Sequence, residues 1–211
     1  MIAVVCAVAA ERRALAGLAG PDLAIHVSGI GAAAAERTAA AVTAAPLRGL
    51  VAAGFCGALS PGLRVGDLVA PDEVRDEASG ERFAPDPAML AAAPGARGTL
   101  VSARRLARTP AERARLQGLA VDLESAALAR ASRDAGVPFL ALRAVTDETR
   151  HRLPDFDHLV DAAGRLSPTA GIRHFLRHPR ELPALVRLGP AAREAGRALR
   201  AGLEQTLGRL R

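Results

Sequence analysis

Short apolar segments alternate with alanine-rich stretches along the first 150 residues of the chain. The segments predicted as strands are 2–8, 23–28, 49–53, 98–102 and 137–142. The stretches 11–18 and 32–45 favour helix. Strands that alternate with helices in this way indicate βαβ units, with a parallel or mixed sheet covered by helices on both faces. The sequence therefore predicts an α/β protein with three layers, helix–sheet–helix, around a mixed central sheet.

Composition fits one domain that spans residues 1–211. Half of the 211 residues are apolar, Trp and Tyr are absent, and only five Phe occur, so the predicted core is aliphatic. Residues 71–98 are rich in Pro, Asp and Gly, and we predict loop there with at most an edge strand. The two cysteines, Cys6 and Cys56, lie in apolar or glycine-rich surroundings and are expected to be buried, reduced thiols.

Acidic residues occur where a short apolar run meets a helix-forming stretch, within residues 119–127. Ligands bind at the carboxyl ends of strands in open sheets, and Asp122 and Glu124 lie at such an end. Capping of the following helix is the simpler role for Asp122. A second charged segment, residues 143–147, lies at the end of the next apolar run, and this favours a functional role for Glu124.

Five segments in this order resemble the motifs of the nucleoside phosphorylase and nucleosidase superfamily. They are 4–11, 28–31, 54–59 continuing into 65–69, 121–126 and 143–147. The adenine-releasing branch, which includes methylthioadenosine/S-adenosylhomocysteine nucleosidase and futalosine hydrolase, is most similar. Segment 175–185 is similar to the hopanoid-associated phosphorylase subgroup.

The resemblance implies a role for each of three acids in cleaving an N-glycosidic bond. Asp147 matches the acid that protonates the purine at N7 and contacts its exocyclic amine. Glu124 matches the acid that accepts hydrogen bonds from the ribose hydroxyls, and Glu11 matches the general base that activates water. From the residues alone, Asp147 also fits a helix N-cap and Glu11 an ordinary first-turn acid.

Other substrate-contacting positions follow from the same motifs. Those around the sugar and base are Gly54, Phe55, Arg143 and Thr146. Val8, Leu123 and Phe156 would line an apolar pocket for the 5′ substituent, although core packing explains Val8 and Leu123 equally well.

Two departures from the family motif bear on the nucleophile. Phe55 stands where the family has a hydroxyl residue, and Ala52 stands where the phosphorylases have a phosphate-binding Arg. We therefore expect hydrolysis rather than phosphorolysis, with phosphate as co-substrate in the alternative case. No cofactor and no metal site is predicted. A non-catalytic binding protein that retains the fold is the second hypothesis.

The C-terminal third is predicted to be a basic, helical extension of the domain, from about residue 164 to 211. It holds ten Arg against three acids, and apolar residues recur every three or four positions between 185 and 207. Such a helix packs on the domain or lies on an anionic membrane surface. The expected partner is a small nucleoside, with a lipid-linked one as first choice; a nucleic acid is not expected. By analogy with the family we expect a homodimer. The compartment expected is the cytoplasm, with membrane association as an alternative.

Overall fold

A computed structural model describes the backbone of residues 1–155 and 168–210, and side chains throughout except at 168–172. The strands are β1 Ile2–Cys6, β2 Leu23–Val27, β3 Gly49–Ala58, β4 Leu68–Val69, β5 Glu73–Asp76, β6 Arg82–Phe83, β7 Thr99–Ser102, β8 Ala120–Asp122 and β9 Phe139–Asp147. The α-helices are α1 Ala9–Ala14, α2 Ala32–Thr43, α3 Pro87–Ala92, α4 Pro110–Arg113, α5 Ser125–Asp134, α6 Pro168–Arg177 and α7 Leu182–Arg209, with a short 3-10 helix at Pro179–Glu181.

The strands form one mixed sheet. Its main path runs β2-β1-β3-β8-β7-β5-β6, and β9 pairs with both β3 and β4. The pairs β1–β2, β1–β3 and β3–β9 are parallel, whereas β3–β8 and β4–β9 are antiparallel. The carboxyl ends of β1, β3 and β9 therefore meet at one edge.

Helices cover both faces of the sheet, as predicted. One core cluster joins the sheet to α2 and α5 through residues such as Ala35 and Leu128. The other joins it to α1, α3 and α7 through residues such as Met89 and Leu199. The three-layer architecture and the C-terminal helix are thus confirmed.

The two central strands are longer than the apolar pattern indicated. β9 continues to Asp147, because the charged Arg143 is buried by pairing with an acid and does not end the strand. β3 continues through Gly54 and Gly57 to Ala58. These glycines do not form a turn; they leave room for side chains that approach the strand closely.

Residues 71–98 contain more regular structure than predicted. Strands β5 and β6 form a hairpin, and α3 begins at Pro87 with Asp86 as its N-cap. The Asp86 carboxylate accepts hydrogen bonds from the backbone of Ala88 and Met89. Asp followed by Pro at the first helical position is a helix-start signal, and it identifies this helix in hindsight.

One irregularity occurs between β3 and β9. Cys56 lies opposite Val145, but Gly57 lies opposite Asp147, so Thr146 is the extra residue of a bulge. The bulge places Asp147 beside Gly57: a Cβ added to Gly57 would lie 2.8 Å from Asp147 Oδ2.

In the described residues, 1–155 and 168–210, no helix is both long and apolar enough to cross a membrane.

Candidate active site

Glu11 lies in the first turn of α1, where β1 and β3 end, and its carboxylate is held by three backbone N–H groups. Oε2 accepts from Ala7 N at 2.7 Å and Val8 N at 2.9 Å, and Oε1 accepts from Phe55 N at 2.7 Å. The residue is only 3% exposed. Both oxygens are therefore fixed at the carboxyl ends of the parallel strands.

Burial raises the pKa of Glu11 above its ordinary value, against the opposing effect of Arg143 and the three N–H donors. A carboxylate with a raised pKa is a stronger base, and hydrogen bonds to its charged form preserve that form. The arrangement suits a general base.

Arg143 is fully buried and connects three elements. Its Nη2 lies 2.5 Å from Asp122 Oδ2, and Nε and Nη2 donate to Ser125 Oγ at 3.2 and 2.8 Å. Its Nη1 lies beside Gly54, where an added Cβ would also come within 2.6 Å of Glu11 Oε1. Arg143 therefore places positive charge next to Glu11, with most of its hydrogen-bonding capacity already used.

Asp122 caps the following helix, as predicted, and also makes a buried ion pair that was not predicted. It accepts from the backbone N of Ser125 at 3.2 Å, as a capping acid does, and it pairs with Arg143.

Glu124 is the N-cap residue of α5 and reaches across to the turn that opens α2. Its Oε1 accepts from Gly31 N at 2.8 Å. Gly31 has φ 91°, a conformation that favours glycine. Burial, and then the neighbouring Asp122, raise the pKa of Glu124 to about 7.

A cavity of about 440 Å³ adjoins Glu124. Gly31 and Leu123 are among its lining residues, and so are five charged ones, Glu36, Arg37, Asp76, Arg104 and Arg130. Leu123 thus borders open space, while the apolar 5′ pocket of Val8, Leu123 and Phe156 stays a prediction. Val8 contributes its backbone N–H to Glu11 and is half-buried.

Asp147 ends β9 and pairs with Arg113, a residue that the sequence motifs did not single out. Arg113 Nη2 lies 2.5 Å from Asp147 Oδ2. Arg113 also donates from Nε to Ala107 O at 3.1 Å and from Nη1 to Glu148 O at 2.8 Å. No helix follows Asp147 within residues 148–155, so the N-cap alternative does not apply.

Space beside this pair is small. The cavity lined by Leu106, Arg113, Leu123 and Asp147 measures about 30 Å³, which is the volume of about one water molecule. Thr146 donates from Oγ1 to Asp147 Oδ1 at 2.8 Å and so orients the carboxylate.

Arg113 was missed because it lies among four other arginines between 104 and 115. The signal that could locate it is the run Thr109-Pro110-Ala111-Glu112, which has a capping residue, a Pro at the first helical position and an early acid. Thr109 and Glu112 form a capping box, which fixes the single turn whose last residue is Arg113.

The side chain of Phe55 points away from the acids. It packs with the core cluster of α1, α3 and α7, and its Cζ lies 4.0 Å from where a Cβ of Gly196 would be. Its contribution to the site is the backbone N–H to Glu11. The substrate contact predicted for the Phe55 side chain is not supported by this orientation.

Glu11, Gly54, Arg143 and Glu124 thus converge at one end of the site, and Asp147 lies beside Gly57, three residues farther along β3 than Gly54. Phe156 lies outside the described residues. Cys6 and Cys56 are buried and unpaired, and burial raises the pKa of the Cys6 thiol to about 12. In the part of the chain that the structure describes, no group of three His, Cys, Asp or Glu could hold a metal ion.

The sequence profile of the Phosphorylase superfamily matches residues 4–172. The chain belongs to the phosphorylase superfamily. This membership confirms the predicted enzyme class, a nucleoside hydrolase or phosphorylase. No curated protein sequence shows a significant match.

Solved structures of other superfamily members share the fold of this one. Futalosine hydrolase of Helicobacter pylori has a TM-score of 0.75 at 14% identity, with 98% of this chain and 97% of that chain covered. A methylthioadenosine/S-adenosylhomocysteine nucleosidase of the same organism, solved with butyl-thio-DADMe-Immucillin-A, has a TM-score of 0.74 at 14% identity and the same coverage. The Streptococcus pneumoniae nucleosidase in complex with 8-aminoadenine has a TM-score of 0.71 at 19% identity, with 98% of both chains covered.

Proposed function

We propose that this superfamily member cleaves the N-glycosidic bond of a 5′-modified adenosine with water, releasing adenine. The observation that carries the proposal is the placement of Glu11. Three backbone N–H groups hold this buried carboxylate, beside the charge of Arg143, at the edge of the sheet where Glu124 and Asp147 also lie.

Each acid has one task in the reaction. Asp147 donates a proton to N7 of the base, so that the base leaves with the electron pair of the glycosidic bond. Glu124 accepts hydrogen bonds from the ribose hydroxyls, for which a carboxylate offers two oxygens. Glu11 takes a proton from water as the water oxygen bonds to the anomeric carbon.

Three features favour water over phosphate as nucleophile. Arg143 already donates from Nε and Nη2 to Ser125 and pairs with Asp122, so only Nη1 remains for an anion, next to the Glu11 carboxylate. Ala52 is fully buried in the core. The side chain of Phe55 lies on the opposite face of β3 and brings no polar group to the site.

The base end of the site must open for adenine to bind. A cavity of about 30 Å³ does not hold a purine, and Arg113 occupies the Asp147 oxygen that the base would contact. In the proposed mechanism adenine replaces Arg113 at Asp147, its N7 and exocyclic amine taking the place of the guanidinium.

The 440 Å³ cavity beside Leu123 offers room for a substituent at the 5′ carbon, although its lining is partly charged. Because segment 175–185 is similar to the hopanoid-associated subgroup, we propose adenosylhopane as the first substrate, giving ribosylhopane. Methylthioadenosine, S-adenosylhomocysteine and futalosine are the alternatives.

The test is release of free base from each of these four nucleosides, measured chromatographically with and without inorganic phosphate. We expect turnover without phosphate and the highest kcat/KM for one 5′-modified adenosine. Strict phosphate dependence would replace hydrolysis by phosphorolysis. Inertness toward all four, together with tight adenine binding, would favour the non-catalytic binding protein.

A further inference from the structure

The outer face of α7 combines exposed aliphatic side chains with an arginine-lined groove. Leu182 and Val186 are 42% and 71% exposed, and they lie one turn apart on the same side of the helix. The same stripe continues at spacings of three and four through Gly189, Arg193 and Arg197. It lies opposite the buried stripe that contains Ala195 and Leu199.

A groove of about 590 Å³ runs between this stripe and α1. Its charged lining consists of Arg13 from α1 and Arg193, Arg197 and Arg200 from α7; the remaining lining residues are Ala and Gly. Among the described residues, no acid lines the groove. Four guanidinium groups around one concave surface make it a site for phosphate-type anions, which Arg binds through paired N–H donors.

The base of the groove is closely packed, and two of its arginines have no hydrogen-bond or ion-pair partner among the described residues. α1 and α7 pack closely, since a Cβ added to Gly196 would lie 3.0 Å from Ala14 Cβ. Arg200 is fixed by Ala16 O at 2.5 Å and by Glu204 at 3.0 Å. Arg193 and Arg197 are exposed and make no hydrogen bond or ion pair with the described residues.

We propose that this face docks on an anionic phospholipid membrane. Lipid phosphates occupy the groove, and Leu182 and Val186 enter the boundary between headgroups and acyl chains. A third exposed aliphatic side chain, Leu176 at 78% exposure, lies near the end of the preceding helix. Helices with basic and aliphatic surface residues bind lipid by combining charge attraction with apolar burial.

The combination of side chains favours lipid over two other partners. Nucleic acid offers phosphates but no apolar layer for Leu182 and Val186. A second copy of the chain would make a self-complementary contact across a twofold axis, which brings the arginines of both copies together. An anionic lipid surface matches the charge and the aliphatic residues at once.

The test is co-sedimentation of the full chain with vesicles of phosphatidylcholine alone or mixed with phosphatidylglycerol. We expect binding to the mixed vesicles only, weakened by salt. Each arginine near the surface contributes about fivefold to partition, so Arg193→Gln/Arg197→Gln should weaken binding roughly thirtyfold. The matched control, Arg105→Gln/Arg115→Gln, removes two exposed arginines elsewhere and should retain at least most of the binding.

A second variant and two further measurements distinguish lipid binding from phosphate binding and from dimerisation. Leu182→Ser/Val186→Ser should lose vesicle binding with an unchanged Tm. Equal binding to neutral vesicles, or equal loss in the control variant, overturns the proposal. So does full competition by inorganic phosphate at constant ionic strength, or a dimer in sedimentation velocity that the Ser variant abolishes. None of these readouts depends on the proposed nucleosidase activity.

Discussion

Arg113 Nη2 and Asp147 Oδ2 lie 2.5 Å apart, and both side chains are buried. The acid proposed to contact the base is therefore held by a cation that comes from a different part of the chain. The helical turn that carries Arg113 is short and lies between two loops, whereas Asp147 ends a nine-residue strand. Opening of the site should accordingly involve movement of Arg113 and not of Asp147.

Removing one member of this pair should destabilise the fold more than removing both. Arg113→Met leaves Asp147 buried without its counter-charge, which costs about 3–5 kcal/mol in comparable buried pairs. Adding Asp147→Asn should recover part of that loss. Urea denaturation of the two single variants and the double variant measures the coupling. Strictly additive losses would show that the two side chains do not interact.

Asp147→Asn should reduce adenine release about 10²–10⁴-fold, because an amide does not supply the proton that the leaving base requires. The measurement is single-turnover kinetics on the preferred nucleoside. Glu148→Gln is the matched control, since this neighbouring acid pairs with Arg64 and Arg150 and lies outside the proposed chemistry. A loss of similar size in Glu148→Gln would contradict the assignment.

Glu11→Gln should abolish hydrolysis while leaving adenine binding nearly intact. The amide oxygen still accepts from Ala7 and Val8, its NH2 loses the bond from Phe55 N, and the group no longer takes a proton from water. We expect kcat to fall about 10²–10⁴-fold, with a product Kd within a few-fold of the unmodified chain. Calorimetric titration with adenine measures the Kd, and Glu204→Gln, an exposed acid of α7 outside the site, is the control. Unchanged kcat in Glu11→Gln would exclude Glu11 as the base.

Glu124 should make stability depend on pH. Its pKa rises from 4.5 in the unfolded reference to about 7 in the folded chain. The folded state thus holds the proton to higher pH, so this contribution to stability is complete below 4.5 and is lost as pH rises through about 7. A shift of this size corresponds to roughly 3 kcal/mol. Glu124→Gln, which stays neutral, should therefore be more stable than the unmodified chain above pH 7 and similar to it near pH 4.5.

Thermal unfolding as a function of pH measures this difference. A matched variant is Asp134→Asn, which removes an exposed carboxylate at the end of the same helix. The Tm gap between Glu124→Gln and Asp134→Asn should widen with rising pH. A constant gap would mean that Glu124 is already ionised at low pH.

The sequence predicted those features that depend on local pattern. Alternating apolar and helix-forming segments predicted the layers, and the order of the acidic motifs predicted which strand ends would meet. What the pattern could not supply were contacts made by charged residues inside the core. Arg143 looked like the end of a strand, yet Asp122 balances its charge, Ser125 accepts its hydrogen bonds, and the strand continues. In the sequence Arg113 does not differ from the other arginines near it, but its position at the end of α4 buries its side chain.

Phe55 shows a second limit. The motif placed it at the substrate, and the residue is indeed next to Glu11, but alternation along β3 turns its ring toward α7 and leaves only its N–H for the site. The position in the sequence predicts that a residue lies near the site. The alternation of side chains along the strand decides whether its side chain or its backbone faces the site.

The bulge between β3 and β9 sets the spacing of the proposed catalytic groups. With regular pairing, Thr146 would be opposite Gly57, and Asp147 would be one step farther along. Deleting one residue between Val145 and Asp147 would therefore change the distance between the proposed proton donor and the proposed base without altering either group. A chain so shortened is expected to keep its sheet and lose its ability to accommodate a nucleoside, which makes backbone length, as much as side-chain chemistry, a determinant of what this protein accepts.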